Sequence, residues 1–286
     1  MPNRRLRDDG LAGAAEEAYN KIFEEQLARI PGRNDEKKER EAQKIAIAES
    51  AKKVLQAYPL RLPEIWRALN QAHICRKVGL KISAAQVEKA ISAENSWKKS
   101  SGHALEKIIV DLLNPSLLRI GIMFYLQKDL TELIRAGRVT NPSRDIQWIK
   151  ERIHASNFDI YMGFSDERIP EGVKIFGLVQ SKASIRDRVK GDREFSIDGM
   201  KHFFWSVAFC LDGSFLLLPK FDQMVNGGSP SFTEPGWHGM YAFSQQNPSG
   251  RIFILDPSYE PFLRHAKKAK SDWIQQRQWL DPSWQP

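Results

Sequence analysis

The chain has only two cysteines among its 286 residues, Cys75 and Cys210. Two thiols are too few for a disulfide framework and argue against a structural zinc site. No apolar run approaches the roughly 18 residues that a membrane-spanning helix needs. Residues 1–9 are charged and lack the apolar core of a secretory signal. We therefore expect an intracellular protein without a membrane span.

Positive charge is what the chain does have in excess. Its 43 Lys and Arg outnumber its 35 Asp and Glu, which gives a formal net charge of +8. Such an excess favours a polyanionic partner, because Lys and Arg gain affinity for phosphates by releasing counterions. Charge alone is weak support, since many basic proteins bind no nucleic acid. With 42% hydrophobic residues, the chain can bury a sizeable core in one large domain or two.

The first hundred residues have the spacing of amphipathic helices. Apolar residues recur at intervals of three and four, and Pro and Gly residues separate the segments. The predicted helices cover residues 12–30, 36–58 and 63–78, and a fourth runs from about 83 to 97. We expect an α-helical N-terminal domain over residues 1–96.

Strands and helices mix after Ser100-Ser101-Gly102, which reads as a helix cap. A helix is predicted over residues 103–113, with Asn114-Pro115 ending it. Further helices are predicted at 128–136, 146–154, 200–209 and 260–270, and strands at 121–127, 158–164, 173–182, 214–218 and 251–255. This pattern predicts an α/β or α+β domain over residues 97–286.

A carboxylate and a lysine stand on two strands that we expect to be neighbours. Asp159 lies in an apolar strand, where its charge needs a cation, a metal or several hydrogen bonds. The alternative is an aspartate that caps a turn at a strand edge. Lys182 ends the next predicted strand, so the two side chains can converge at one end of the sheet. Such a pair suits phosphodiester hydrolysis, in which the carboxylate holds Mg²⁺ and the lysine positions water or stabilises charge.

One carboxylate is too few for such a centre. Gln180 occupies the place where the common nuclease signature, acid then any residue then lysine, has its acid. The missing acid can come from Glu106, or from Asp192 or Glu194 beyond the lysine. Glu106 reads equally well as a solvent-facing glutamate paired with a lysine. Spacing does not separate Asp192 from Glu194, although we prefer Asp192.

Arg186-Asp187-Arg188 is the candidate for reading DNA sequence. Arginine donates two hydrogen bonds to O6 and N7 of guanine, and aspartate accepts from N4 of cytosine. Seen in isolation, such a tripeptide is usually a surface salt-bridge cluster. Its closeness to Lys182 in the sequence favours the DNA-reading role here.

These residues resemble the PD-(D/E)XK restriction endonucleases, in particular the branch that recognises sites containing CCGG. That branch has an Asp on one strand, Ser-x-Lys or a variant on the next, an Arg-(Asp/Glu)-Arg element, and an acid moved downstream of the lysine. The corresponding residues here are Asp159, Gln180-Ser181-Lys182, Arg186-Asp187-Arg188 and Asp192 or Glu194. Residues 97–119 are similar to the helix that carries a metal-binding glutamate, here Glu106. The likeness covers residues 97–270.

Two features depart from the family pattern. Glutamine replaces the usual serine or acid at position 180, and the spacing from Lys182 to Asp192 or Glu194 differs a little from some relatives. Both departures concern the acid that has been moved. The resemblance nevertheless implies that Asp159, Glu106 and Asp192 bind metal, with Glu194 as the alternative acid, and that Lys182 activates water.

The resemblance further implies a mixed central sheet flanked by helices, Mg²⁺ as cofactor, and double-stranded DNA as substrate. The site cut would be a palindrome centred on CCGG and flanked by A or T. A twofold-symmetric site suggests a homodimer, or a higher oligomer on DNA, in the cytoplasm of a bacterial-type cell. Two alternatives are a structure-specific repair or junction nuclease of the same fold, and a DNA-binding regulator without catalysis.

Overall fold

The computed structural model describes residues 10–31, 35–78, 84–182, 189–211, 216, 218–243 and 249–286. The chain divides into two compact units, Met1–Ile108 and Ile109–Pro286. This division falls inside one helix, Ala84–Leu118, as does the boundary predicted between residues 96 and 97. No helix in the described part of the chain is apolar over a length that could cross a bilayer.

The N-terminal unit is helical, as predicted. Its helices are α1 (Leu11–Arg29), α2 (Asp35–Ala57), α3 (Leu62–Val78) and the first part of α4 (Ala84–Leu118). A buried polar pair lies within its core: the Tyr19 hydroxyl is 2.8 Å from Nδ1 of His73. The other ring nitrogen of His73 is 3.0 Å from the carbonyl oxygen of Ala93, so the ring joins α1, α3 and α4.

Helix α4 runs without a break through both points at which the sequence predicted its limits. The predicted start after residue 102 is wrong, because Ser100 and Ser101 are buried on the helix and serve as small packing residues. The predicted end at Asn114-Pro115 is also wrong. Pro115 removes one helical hydrogen bond near the helix end, and the helix continues to Leu118. Asn114 bonds both the N–H and the carbonyl of Phe124, at 2.8 and 3.3 Å.

The second unit is built on a mixed sheet of six strands within the described residues, arranged in chain order. The strands are β1 (Met123–Leu126), β2 (Ile160–Asp166), β3 (Gly172–Lys182), β4 (Trp205–Cys210), β5 (Gly239–Ala242) and β6 (Ile252–Ile254). Strands β1 to β3 are antiparallel, and β3 to β6 are parallel. The helices are α5 (Gln127–Arg135), α6 (Ser143–His154), α7 (Val189–Lys201), α8 (Pro219–Asn226) and α9 (Glu260–Gln276). The predicted fold class is confirmed.

The helix predicted over residues 200–209 is wrong. Helix α7 ends at Lys201, the chain turns at Phe203 with φ 63°, and β4 begins at Trp205. Every residue of β4 is buried. A strand covered on both faces is a continuous apolar run, and such a run has no period that separates it from a buried helix. Strand β5 was not predicted for the same reason, since all of its residues are buried. The strand predicted at 214–218 falls largely outside the described residues.

The ends of the parallel strands place candidate functional residues at one edge of the sheet. Lys182, the last residue of β3, is paired with Cys210, the last residue of β4. Helix α7 follows β3 along the chain and leads into β4. Because β2 is antiparallel to β3, the start of β2 lies at this edge too. Ligand sites in open α/β sheets favour this edge, outside the carboxyl ends of the strands.

We expect His238 to make the second unit sensitive to acid. Its buried ring accepts a hydrogen bond at Nδ1 from the N–H of Ser206 at 3.0 Å, so Nε2 carries the proton and donates to the carbonyl of Asp281 at 2.8 Å. Burial, with a smaller contribution from the charge of Arg251, lowers the pKa of His238 to about 3. A second proton on the ring would meet the Ser206 N–H.

The unfolded chain takes up a proton on His238 near pH 6.5, where the folded chain does not, so the free energy of unfolding should fall as the pH falls below that value. The slope from this group is up to about 1.4 kcal/mol per pH unit. Urea unfolding between pH 7 and 5 measures it. The variant His238→Asn keeps an acceptor for Ser206 and should lose this part of the slope; an unchanged slope contradicts the assignment.

Candidate active site

Asp159 and Lys182 meet at the edge of the sheet, as the sequence predicted. The N–H of Asp159 donates to the carbonyl of Val179 at 2.9 Å, which continues the β2–β3 pairing one residue beyond β2. The Lys182 ammonium nitrogen is 3.8 Å from Oδ2 of Asp159. Their side chains are 21% and 18% exposed, so a substrate can reach both groups.

Ser181 orients the Asp159 carboxylate. Its backbone N–H donates to Oδ2 of Asp159 at 2.6 Å, and its hydroxyl lies 3.4 Å from the same oxygen. A donor on a strand has little freedom, and hydrogen bonds to a carboxylate are strong. The carboxylate is therefore held in one orientation beside Lys182.

Asp192 is the second carboxylate at this edge. It lies in the first turn of α7, and its Oδ2 is 3.4 Å from the Lys182 ammonium. That oxygen is buried and makes no hydrogen bond within the described residues, so the contact with the lysine is one of charge. A buried carboxylate oxygen of this kind is costly unless a cation approaches it. A hard divalent cation fits, since such ions prefer oxygen ligands.

Glu194 does not share this position. Two residues along a helix correspond to a rotation of about 200°, which turns Glu194 away from the Asp192 face. Its side chain is exposed. Of the two acids that spacing left open, the structure brings Asp192 to Lys182, which Asp159 also approaches.

Gln180 lies two residues before Lys182 on β3 and is 1% exposed. Its Nε2 donates to the carbonyls of Asn157 and Asp192, both at 3.1 Å. Its Oε1 accepts from the indole N–H of Trp237 at 2.8 Å. The sequence marked Gln180 as the place of a missing acid, but no local signal linked it to Trp237, which is 57 residues away.

Comparison with known proteins places this chain in a family. The family model described as BsaWI restriction endonuclease, type 2, matches residues 141–279. A crystal structure of the pre-specific restriction endonuclease BsaWI–DNA complex is similar over 96% of this chain and 98% of that one, with 43% identity and a TM-score of 0.68. This chain belongs to the BsaWI restriction endonuclease family. It is a type II restriction endonuclease, as the resemblance implied.

A more distant structure shares the fold of this restriction endonuclease. The crystal structure of the specific restriction endonuclease AgeI–DNA complex matches 94% of this chain and 98% of that one, at 17% identity and a TM-score of 0.60. No curated protein matches the chain. The stretch matched by the family model includes Asp159, Lys182 and Asp192 and leaves out Glu106.

Glu106 lies on α4 of the endonuclease, within the N-terminal unit. Its carboxylate is 17% exposed and lies 3.3 Å from Nδ1 of His103. Among the described residues there is no group of three or more His, Cys, Asp and Glu side chains that could hold a metal ion. The role of Glu106 as a metal ligand stays a prediction.

Three predicted residues of the endonuclease fall outside the described residues. Arg186, Asp187 and Arg188 lie in the stretch 183–188, between the last residue of β3 and the first of α7. Their predicted contacts with C·G pairs therefore stay a prediction from the sequence.

Proposed function

We propose that this endonuclease hydrolyses double-stranded DNA at a palindromic site centred on CCGG and flanked by A or T, with Mg²⁺ as cofactor. One observation carries the proposal: the Lys182 ammonium lies within 4 Å of two carboxylates, 3.8 Å from Asp159 and 3.4 Å from Asp192, at the edge of the sheet. The two solved structures compared above are DNA complexes, which supports DNA as the substrate.

Asp159 and Asp192 would hold the metal. Mg²⁺ in such enzymes is bound through one or two carboxylates together with substrate phosphate and water. The buried Oδ2 of Asp192, which accepts no hydrogen bond from the described residues, and the oriented carboxylate of Asp159 supply two such oxygens. Glu106 is a candidate for a further ligand. When bound, Mg²⁺ polarises the phosphate and lowers the pKa of a bound water.

Lys182 has two tasks in this arrangement. Its positive charge offsets the repulsion between Asp159 and Asp192, which would otherwise disfavour bringing both together. Its ammonium also offers donors to the water that attacks or to the phosphate oxygens, where negative charge develops in the transition state. The two carboxylates would thus bind the metal ion, and the lysine would position the attacking water and stabilise the negative charge on the phosphate.

Arg186, Asp187 and Arg188 would read the C·G pairs. We expect Arg186→Ala to lose about 1–3 kcal/mol of discrimination at one C·G pair, because a bidentate arginine–guanine contact contributes that much. Competition gel shifts, with duplexes that differ from CCGG at one position, measure this loss. The control is Arg264→Ala, which removes an exposed arginine of α9. An unchanged preference in Arg186→Ala would count against base reading by this residue.

A palindrome is read most simply by a protein with matching twofold symmetry, so we propose a homodimer on DNA. Sedimentation of the complex with a single-site duplex tests this. Two chains per duplex are expected, and one chain per duplex at saturation contradicts the dimer.

Plasmid cleavage tests the proposed activity. Incubation with Mg²⁺ should give discrete fragments whose sequenced ends all lie at CCGG-centred sites, and EDTA should abolish them. A smear, or cutting confined to branched DNA, would instead indicate a structure-specific nuclease of the same fold. Intact DNA that is nevertheless shifted in a gel would indicate a regulator without catalysis.

A further inference from the structure

Gln180 stands where the nuclease signature has its acid, two residues before Lys182 on β3. The surroundings of its side chain suit an amide and not a carboxylate. Two backbone carbonyls, of Asn157 and Asp192, face Nε2, and one indole N–H, of Trp237, faces Oε1. A carboxylate here would direct negative charge at two carbonyl oxygens, which are themselves acceptors.

The same three contacts determine which way the amide points. If the amide were flipped, its NH₂ would face the Trp237 N–H and its oxygen would face the two carbonyls, so all three hydrogen bonds would be lost. At 1% exposure no water could replace them at low cost. The oxygen of Gln180 is therefore directed at Trp237 and is engaged there.

The two carbonyls that Gln180 holds belong to the segments that carry the carboxylates. Asn157 is two residues before Asp159, at the entry to β2, and the Asp192 carbonyl is part of the acidic residue itself. One buried side chain thus connects the backbones on both sides of Lys182. A shift of either backbone would change the separation of the two carboxylates.

The position of Trp237, which bonds this amide, is itself fixed by its contacts. It is 1% exposed, and its carbonyl accepts from the buried guanidinium of Arg251 at 3.3 Å. The preceding residue, Gly236, donates its N–H to the carbonyl of Val225 at 2.9 Å. A Cβ on Gly236 would lie 2.4 Å from the carbonyl oxygen of Met224, so only glycine allows the chain to pass this close.

We propose that Gln180 is a positioning residue, which keeps the carboxylates of Asp159 and Asp192 at the separation that a shared metal ion needs. Trp237 fixes the orientation of the Gln180 amide, and Gln180 is not itself a metal ligand. This inference rests on the proposed function. It also explains physically why the acid of this chain stands at 192: the pocket at 180 is lined with acceptors.

Three variants separate this role from its alternatives. Gln180→Met keeps the length of the side chain and removes all three hydrogen bonds. Trp237→Phe removes the donor to Oε1 and keeps an aromatic ring, with a loss of buried volume that the thermal midpoint reports. Gln180→Glu restores the acid of the signature. The readouts are Ca²⁺ binding to the protein–duplex complex by calorimetry, the Mg²⁺ concentration that half-saturates cleavage, and the thermal midpoint of unfolding.

Gln180→Met and Trp237→Phe should each weaken metal binding by about 10-fold or more, the usual effect of losing a group that orients metal ligands. Gln180→Glu should also weaken it. The control is Asn141→Leu. Asn141 is another buried amide, which bonds the N–H and carbonyl of Ile175 on the same strand at 2.7 and 2.8 Å. Its loss should lower the thermal midpoint and leave metal affinity unchanged.

Wild-type metal affinity in both Gln180→Met and Trp237→Phe overturns the inference, as does tighter binding in Gln180→Glu. An Asn141→Leu variant that loses metal affinity equally also overturns it, because general loosening of the sheet would then explain the effect. If Gln180→Met does not fold, Trp237→Phe decides alone. If the wild-type protein neither cleaves DNA nor binds metal, the proposed function itself is wrong. That failure is seen without any variant, so it is distinguishable from a failure of the inference on Gln180.

Discussion

Lys182→Met and Asp159→Asn will each slow cleavage of a CCGG duplex by about 1000-fold or more, which corresponds to about 4 kcal/mol in the barrier. Lys182→Met removes the ammonium that lies 3.8 Å from Asp159 and 3.4 Å from Asp192. Asp159→Asn keeps an oxygen for the Ser181 N–H but removes the charge that a cation needs. Neither change disturbs a fully buried group.

Single-turnover kinetics at saturating enzyme measure the loss, and gel shifts in Ca²⁺ measure binding, which should stay within a few-fold of wild type. Lys174→Met is a matched control for the lysine. Lys174 lies on the same strand, its side chain is also 21% exposed, and it pairs with Asp166 at 3.6 Å. Near-wild-type cleavage by Lys182→Met would show that this centre is not the catalytic one.

Asp192→Asn will lose at least about 100-fold in cleavage rate, because a metal ligand then loses its charge. Glu194→Gln should stay within about twofold, since an exposed helix position contributes little. The two acids lie on one helix two residues apart, so each variant is the control for the other. Of these two acids, Asp192 is the one whose carboxylate lies 3.4 Å from the Lys182 ammonium.

The Mg²⁺ dependence of both variants distinguishes a lost ligand from a damaged fold. Asp192→Asn should need more Mg²⁺ for half-maximal cleavage and keep a thermal midpoint near that of wild type. A full rate in Asp192→Asn together with a large loss in Glu194→Gln would reverse the assignment of the displaced acid.

The meeting of Asp159 with Lys182 could be predicted from the sequence because the information is local. Two apolar runs joined by a short polar connection containing Pro170 pair as neighbours, and this pairing alone brings the end of one strand to the start of the other. To choose between Asp192 and Glu194 one must know where α7 begins and how the helix is rotated about its axis. Residue spacing supplies neither.

The errors also have a physical cause. Serine, glycine and proline near residues 100–115 favour helix ends locally, but the burial of Leu105, Ile108 and Ile109 outweighs that preference over the whole of α4. The partner of Gln180 was out of reach for a different reason. Trp237 is separated from Gln180 along the chain by β4 and α8, so the indole lies beside the amide only once the sheet has formed.

A crystal structure of the endonuclease with a CCGG duplex and Ca²⁺ tests the central claim most directly. We predict an ion about 2.3–2.6 Å from one oxygen of Asp159 and one oxygen of Asp192, with DNA phosphate completing its ligands. The side chain of Gln180 should still bond Trp237 and not the ion. An ion bound by Glu194 or Gln180, out of reach of Asp192, would contradict the account.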